Sequence, residues 1–87
     1  MLFRSLFSMM YWTDWGFVPK IEQAAMDGSS RRDIVTAKLG WPNGLTIDHS
    51  KNLLYWVDAK LDTIECSDLN GGHRQLLFKS KIGRAHV

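Results

Sequence analysis

Tyr11-Trp12-Thr13-Asp14 returns as Tyr55-Trp56-Val57-Asp58, 44 residues further on. Ile21-Glu22 then returns as Ile64-Glu65, and Asp27-Gly28-Ser29-Ser30-Arg31 as Asn70-Gly71-Gly72-His73-Arg74, both at a spacing of 43. One residue has dropped out of the intervening turn. A repeat of this period marks a stacked architecture, in which each unit covers its apolar face only against a neighbour. The chain of 87 residues holds fewer than two full periods between Tyr11 and Phe78, and so reads as a piece of a larger domain.

Around these words the pattern is that of short strands punctuated by turn residues, with little helical periodicity. Strands are expected over Met9 to Asp14, Lys20 to Met26 and Arg32 to Thr36. The next set is expected over Leu45 to Asp48, Leu53 to Asp58, Thr63 to Asp68 and Gln75 to Phe78. Asp27-Gly28, His49 to Asn52 and Asn70-Gly71-Gly72 supply turns. Trp41-Pro42-Asn43-Gly44 reads as another, because Pro fixes one φ and Asn-Gly tolerates a positive one. Four short antiparallel strands per repeat fit a propeller blade, so the expected class is all-β. Within each Tyr-Trp-x-Asp strand, alternation sends Tyr and x to one face and Trp and Asp to the other. The Asp is then placed to accept backbone N–H groups and pin the next turn, with the Trp packed beside it.

Composition narrows the function. The formal charge is +2, but Arg4, Lys81 and Arg84 lie outside the repeat, and without them the chain is slightly acidic. No basic stripe is interleaved with aromatics, so nucleic acid is not an expected partner. An apolar fraction of 45% with four Trp argues against disorder. Cys66 stands alone in the sequence, which rules out an internal disulfide and a thiolate metal cluster. His49 and His73 sit in polar turns without a Glu or Cys at ligand spacing, so no metal and no cofactor is expected. There is no run of about 18 apolar residues, and this piece is not expected to touch a membrane directly. Arg31 and Arg32 read as a solvated basic step.

The two ends share nothing with the repeat. Met1 to Ser5, and 80–87 with its Lys-Ile-Gly-Arg-Ala-His-Val ending, resemble translated sequencing adapter. The expected organisation is an adapter-derived tail over 1–5, strands 2 to 4 of one blade over 6–40, the next blade over 41–79, and a second tail over 80–87.

Several separated words now agree in order and spacing with one family. Tyr11-Trp12-Thr13-Asp14-Trp15-Gly16, Pro19-Lys20-Ile21-Glu22, Met26-Asp27-Gly28-Ser29, Trp41-Pro42-Asn43-Gly44-Leu45-Thr46 and Leu54-Tyr55-Trp56-Val57-Asp58-Ala59-Lys60-Leu61 resemble the class B repeat of the low-density lipoprotein receptor family. The resemblance runs from about Met10 to Phe78, and its wording is most similar to the Wnt co-receptor branch. It implies an all-β fragment, parts of two adjacent blades, of a six-bladed YWTD β-propeller. It also implies an extracellular protein-binding module on a single-pass plasma-membrane receptor, of Wnt co-receptor or endocytic type, followed by an EGF-like module. The implied partners are secreted protein ligands, Wnts and Wnt antagonists among them, together with the adjacent blades. A nidogen-like basement-membrane propeller is the alternative. Val57 stands where the family usually has Thr.

Asp14 and Asp58 recur once per repeat, which suits a structural task better than paired acid–base chemistry, and no enzyme is expected. With Tyr11, Tyr55, Trp12 and Trp56 they are the expected blade-stitching set. Read alone, Asn43 is a turn residue, although its Trp41 neighbour is an anchor type at protein interfaces. The resemblance makes Asn43 and Trp41 ligand-binding candidates, since the family's pocket takes an Asn-containing tripeptide at that place. Trp15, just beyond its strand, is a further interface candidate.

Overall fold

A computed structural model describes residues 9–80. They form seven strands: β1 (Met9–Asp14), β2 (Lys20–Ala25), β3 (Arg32–Val35), β4 (Pro42–Asp48), β5 (Leu53–Asp58), β6 (Thr63–Asp68) and β7 (Gln75–Lys79). The expected tails over 1–5 and 81–87 lie outside the described residues, whereas the N–H of Ser80 donates to the Asp62 carbonyl at 3.0 Å. The strands make two antiparallel sheets in simple meander order, β1-β2-β3 and β4-β5-β6-β7. The chain is thus all-β, with three strands in one sheet and four in the next, a fragment of a YWTD β-propeller.

The register is repeated down to its irregularities. Tyr11 faces Gln23 as Tyr55 faces Cys66, and Trp12 faces Glu22 as Trp56 faces Glu65. A bulge falls between Ile21 and Glu22 in one sheet and between Ile64 and Glu65 in the other. Gly28 and Gly71 share a φ of 88°, which only glycine adopts freely, and the turns they make continue through Ser30 and His73 at φ 56° and 52°.

One expectation is corrected. Pro42 to Gly44 is not a free turn but the start of β4: Pro42 pairs with Asp58 and Asn43 with Val57. The register then jumps to Thr46 opposite Tyr55, leaving Gly44, at φ 62°, in a β-bulge. A hairpin turn and a bulge both call for a residue that tolerates positive φ.

The core lies between the sheets. Ile21 and Val35 of the first blade meet Leu54 and Trp56 of the second, with Tyr11, Ile34, Leu39, Leu45, Ile47 and Leu69 packed around them. Burying side chains of this size contributes roughly 1.5–3 kcal/mol each. The β5 pattern shows how alternation sets this up: Leu54, Trp56 and Asp58 are buried while Tyr55 and Val57 turn to the opposite face.

Polar bonds close the seam. The Tyr11 hydroxyl donates to the Leu69 carbonyl at 2.9 Å, and Gln23 Nε2 donates to the same oxygen at 2.9 Å. Burial pushes the Tyr11 phenol above its ordinary pKa. From the other blade, Arg74 donates to the carbonyls of Ala37 and Lys38 at 2.6 and 2.8 Å.

Candidate functional site

Asp58 is fully buried at the end of β5, where its carboxylate meets the connection that enters β4. One oxygen accepts the N–H groups of Trp41, Lys60 and Leu61 at 3.0, 3.0 and 2.9 Å; the other accepts that of Gly40 at 2.7 Å. Burial by itself would raise the Asp58 pKa, but the donors from Gly40, Leu61, Trp41 and Lys60 outweigh it and hold the carboxyl below the usual range. The same word in the first blade is anchored differently. Asp14 is exposed and accepts the N–H of Gly16 at 3.0 Å.

Above Asp58 stand two of the ligand-binding candidates. The Trp41 carbonyl receives the Ala59 N–H at 3.1 Å, so this residue's backbone is held on both sides while its indole remains 42% exposed. Asn43 is exposed, with Nδ2 donating to the Trp41 carbonyl at 3.2 Å. Lys60 Nζ lies over the Trp41 ring, 6.0 Å from its centre. Asp58, Trp41 and Asn43 therefore form one connected unit, with a cation beside its aromatic. Trp15 lies in a different turn, between β1 and β2, followed by exposed Phe17 and Val18.

The Trp of each repeat also belongs to a set that sequence reasoning missed. Trp12 Nε1 donates to Glu22 Oε2 at 3.1 Å, Arg31 Nε donates to Glu22 Oε1 at 2.9 Å, and the Arg31 guanidinium sits 5.4 Å from the Trp12 ring centre. The second blade repeats the contact: Arg74 Nε donates to Glu65 Oε1 at 2.7 Å and its guanidinium is 5.4 Å from the Trp56 ring centre. Arg31 and Arg32 are both exposed, and each also reaches a partner on β2: Arg31 ion-pairs with the buried Glu22, and Arg32 Nε donates to Gln23 Oε1 at 2.8 Å. The signal was present, because Glu and Arg both recur at 43. What hid it was the nine-residue gap that the β2–β3 turn closes.

Among the described residues no group of three or more His, Cys, Asp or Glu could hold a metal ion. His73 Nδ1 faces Asp68 Oδ2 at 3.1 Å, and Cys66 is a free, buried thiol.

Other carboxylates share the depressed pKa. Burial opposes ionisation of Glu22, but the Arg31 bond and charge prevail and lower it. Asp68 is lowered by His73 and by the N–H groups of Asn70 and Gly72. A carboxylate whose folded pKa is depressed stabilises the fold fully above its unfolded value and loses that contribution as pH falls through the folded value. Unfolded Asp and Glu titrate near about 4. Thermal denaturation is therefore expected to change little from these groups between neutral pH and about 5, then to shift to lower temperature below about pH 4. Circular dichroism melts across that range would check it.

The repeat word, the two-sheet seam and the pinned connection can now be set beside known proteins. The class B repeat of the low-density lipoprotein receptor matches residues 8–49 and 52–86, nearly the whole chain. The chain belongs to the low-density lipoprotein receptor class B repeat family. Members of this class B family are binding repeats and not enzymes. The chain is 46% identical over 74 residues to the human low-density lipoprotein receptor-related protein 5-like protein, covering 85% of this chain and 29% of that protein. It is 48% identical over 73 residues to the vitellogenin receptor of Solenopsis invicta, covering 84% of this chain and 4% of the receptor. The vitellogenin receptor Yl of Drosophila melanogaster is 46% identical over 74 residues, with 85% and 4% covered. Among solved structures, a chain of the nidogen/laminin complex aligns with a TM-score of 0.79 at 42% identity, covering 86% of this chain and 29% of that one. These class B repeats thus span less than a third of each protein they match. Family identity makes them part of an extracellular ligand-binding propeller.

Proposed function

We propose that these two blades serve a cell-surface receptor of the Wnt co-receptor or endocytic type, and that they recognise secreted protein ligands through Trp41 and Asn43, with Trp15 as an outlying contact. The observation that carries this reading is that the Trp41 backbone is locked on the buried Asp58 carboxylate while the Trp41 and Asn43 side chains remain exposed. A site held rigid before the ligand arrives loses little freedom on binding. The aromatic supplies apolar contact area, and the Asn amide offers donors and an acceptor to an extended ligand backbone. Asp14, Asp58, Tyr11, Tyr55, Trp12 and Trp56 are assigned to joining blades. The domain limits proposed are 6–40 and 41–79, with adapter-derived tails on either side.

The test is Asn43→Ala in the propeller that contains these blades, assayed against an extended Asn-bearing peptide. Loss of one or two hydrogen bonds corresponds to about a tenfold weakening. Secretion and melting temperature should stay at the parent level, because the backbone donors to Asp58 are untouched. Unchanged affinity would refute the role, as would a parallel loss of folding.

A second reading is favoured by the solved relative, a chain of the nidogen/laminin complex. On that reading the same face would serve a matrix protein. Binding of laminin, with no binding of secreted receptor ligands, would decide for it.

A further inference from the structure

β7 closes the four-stranded sheet at the edge away from β4, and β4 is the strand that meets β1 of the first blade. Blades stack through their faces, so a further blade on either side would leave the β7 edge clear. All five residues of β7 are exposed. The outward N–H and C=O groups of such an edge are a template for another strand.

Beside this edge, on the face turned to the first blade, runs a groove of about 380 Å³. Thr63 and Glu65 of β6 are buried in it, opposite Lys79 and Leu76 of β7. Exposed Leu61 and Leu76 give it apolar walls, and Lys38 of the connection between the blades crosses to it from the other side. The Arg74 charge is met by Glu65 at 2.7 Å, so the net charge of the groove comes from Lys38 and Lys79, both exposed. Asp62 instead lines a hollow with Ile64 and Phe78. Lys38 has a left-handed backbone, φ 53°, and its carbonyl accepts from Arg74 Nη2 at 2.8 Å. A lysine held against its own backbone preference is fixed in place before anything binds.

The repeat shows that the fold does not ask for this groove. Glu22 and Arg31 stand 43 residues before Glu65 and Arg74, but Asp33 stands at the place of Leu76 and Thr36 at that of Lys79. The Glu–Arg pair serves every blade; the apolar wall and the second lysine belong to this one.

We propose that β7 takes up a fifth strand from a protein partner, an extended segment with Asp or Glu at every second residue. Main-chain bonds to the β7 edge align it, and its alternation turns every carboxylate to the groove face, where Lys38 and Lys79 meet them. The apolar stems of those acidic residues lie against Leu61 and Leu76. Opposite charges on neighbouring strands attract and like charges repel, so Lys79 admits an acidic strand and discourages pairing with β7 of a second copy. Asn43 lies on β4, at the far edge of the sheet, so the two sites are separate.

The propeller that contains these blades, titrated into a fluorescein-labelled peptide of alternating Thr and Glu, tests this by anisotropy at low ionic strength. The peptide is expected to bind, more weakly as salt rises, and a peptide of alternating Thr and Gln to bind far less. Lys38→Glu and Lys79→Glu should each weaken binding about fivefold, because an attraction becomes a repulsion. Lys79→Thr, which installs the residue type of the first blade, should weaken it about twofold if the reversal disturbs the strand. Amide hydrogen exchange over residues 75–79 should slow in the complex, as a strand pairing requires and a charge contact alone does not. Failure of the Thr-Glu peptide to bind overturns the proposal, as does binding that ignores all three lysine variants or leaves exchange at β7 unchanged. Displacement by the Asn-bearing peptide would put it on the Trp41 face and overturn the proposal too. So would a heparin fragment that binds where the Thr-Glu peptide does not.

Discussion

Asp58→Ala is expected to destabilise the protein by about 3 kcal/mol or more, since each buried N–H left without an acceptor costs about 1–3 kcal/mol. Four such groups depend on this carboxylate: Gly40 and Trp41 before β4, and Lys60 and Leu61 after β5. The substitution removes all four bonds and unties the connection between the blades at the point where the second begins. Asp58→Asn should cost less. Its amide oxygen keeps three donors, and only the Gly40 N–H is opposed by another N–H. Asp14→Ala is the control, because that exposed carboxylate accepts from Gly16 alone among the bonds described for it. Urea denaturation of the three variants should rank them Asp58→Ala, Asp58→Asn, Asp14→Ala in decreasing loss. Equal losses at Asp14 and Asp58 would show that the stabilisation does not come from the four N–H groups that converge on Asp58.

Gly71→Ala should part the two blades. Its added Cβ would strike the Ile34 carbonyl oxygen and lie 2.8 Å from the carbonyl carbon, and neither can move without displacing β3. A left-handed backbone adds about 1–2 kcal/mol for a residue with a side chain, and overpacking a rigid site about 1–3 more. Gly28→Ala shares the backbone term but not the collision. The difference between the two variants in dilute solution therefore isolates the steric part, expected at about 2 kcal/mol. Trp fluorescence should report it directly. Trp56 is buried at the seam and should become solvent-exposed in Gly71→Ala, while Gly28→Ala should leave its emission unchanged.

Much of the fold was legible because β structure writes its faces in a period of two. The ends of β1, β5 and β6 fall where alternation stops and turn residues begin, and the doubled Tyr-Trp-x-Asp word gave the stacking. The bulge at Gly44 was not legible, since Asn-Gly asks for the same backbone in a hairpin as in a bulged strand. Nor was the contrast between Asp14 and Asp58. The two words are nearly identical, and the Gly40-Trp41 connection that meets Asp58 comes from 17 to 18 residues earlier, an offset that for Asp14 falls before Met1. The Trp–Glu–Arg contacts were hidden for a related reason: the bulge after Ile21 and the turn through Gly28 bring Arg31 back over Trp12. The exposed Trp41 and Asn43 could be named from sequence, but the rigidity of the Trp41 backbone could not.

The side-chain donors that cross from one blade to the other end on main-chain oxygens: Leu69 for Tyr11 and Gln23, and Ala37 and Lys38 for Arg74. Every amino acid presents such an oxygen. At the exposed Ala37 and Lys38 the side chains are consequently free to drift over generations without loosening the joint, whereas Leu69 is also held by its packing on the core. A gene segment encoding one such unit can be copied or exchanged for another with few matching changes next door. Variation on the rim of such a ring would then be cheap in evolutionary terms, leaving it open to selection by whatever it meets.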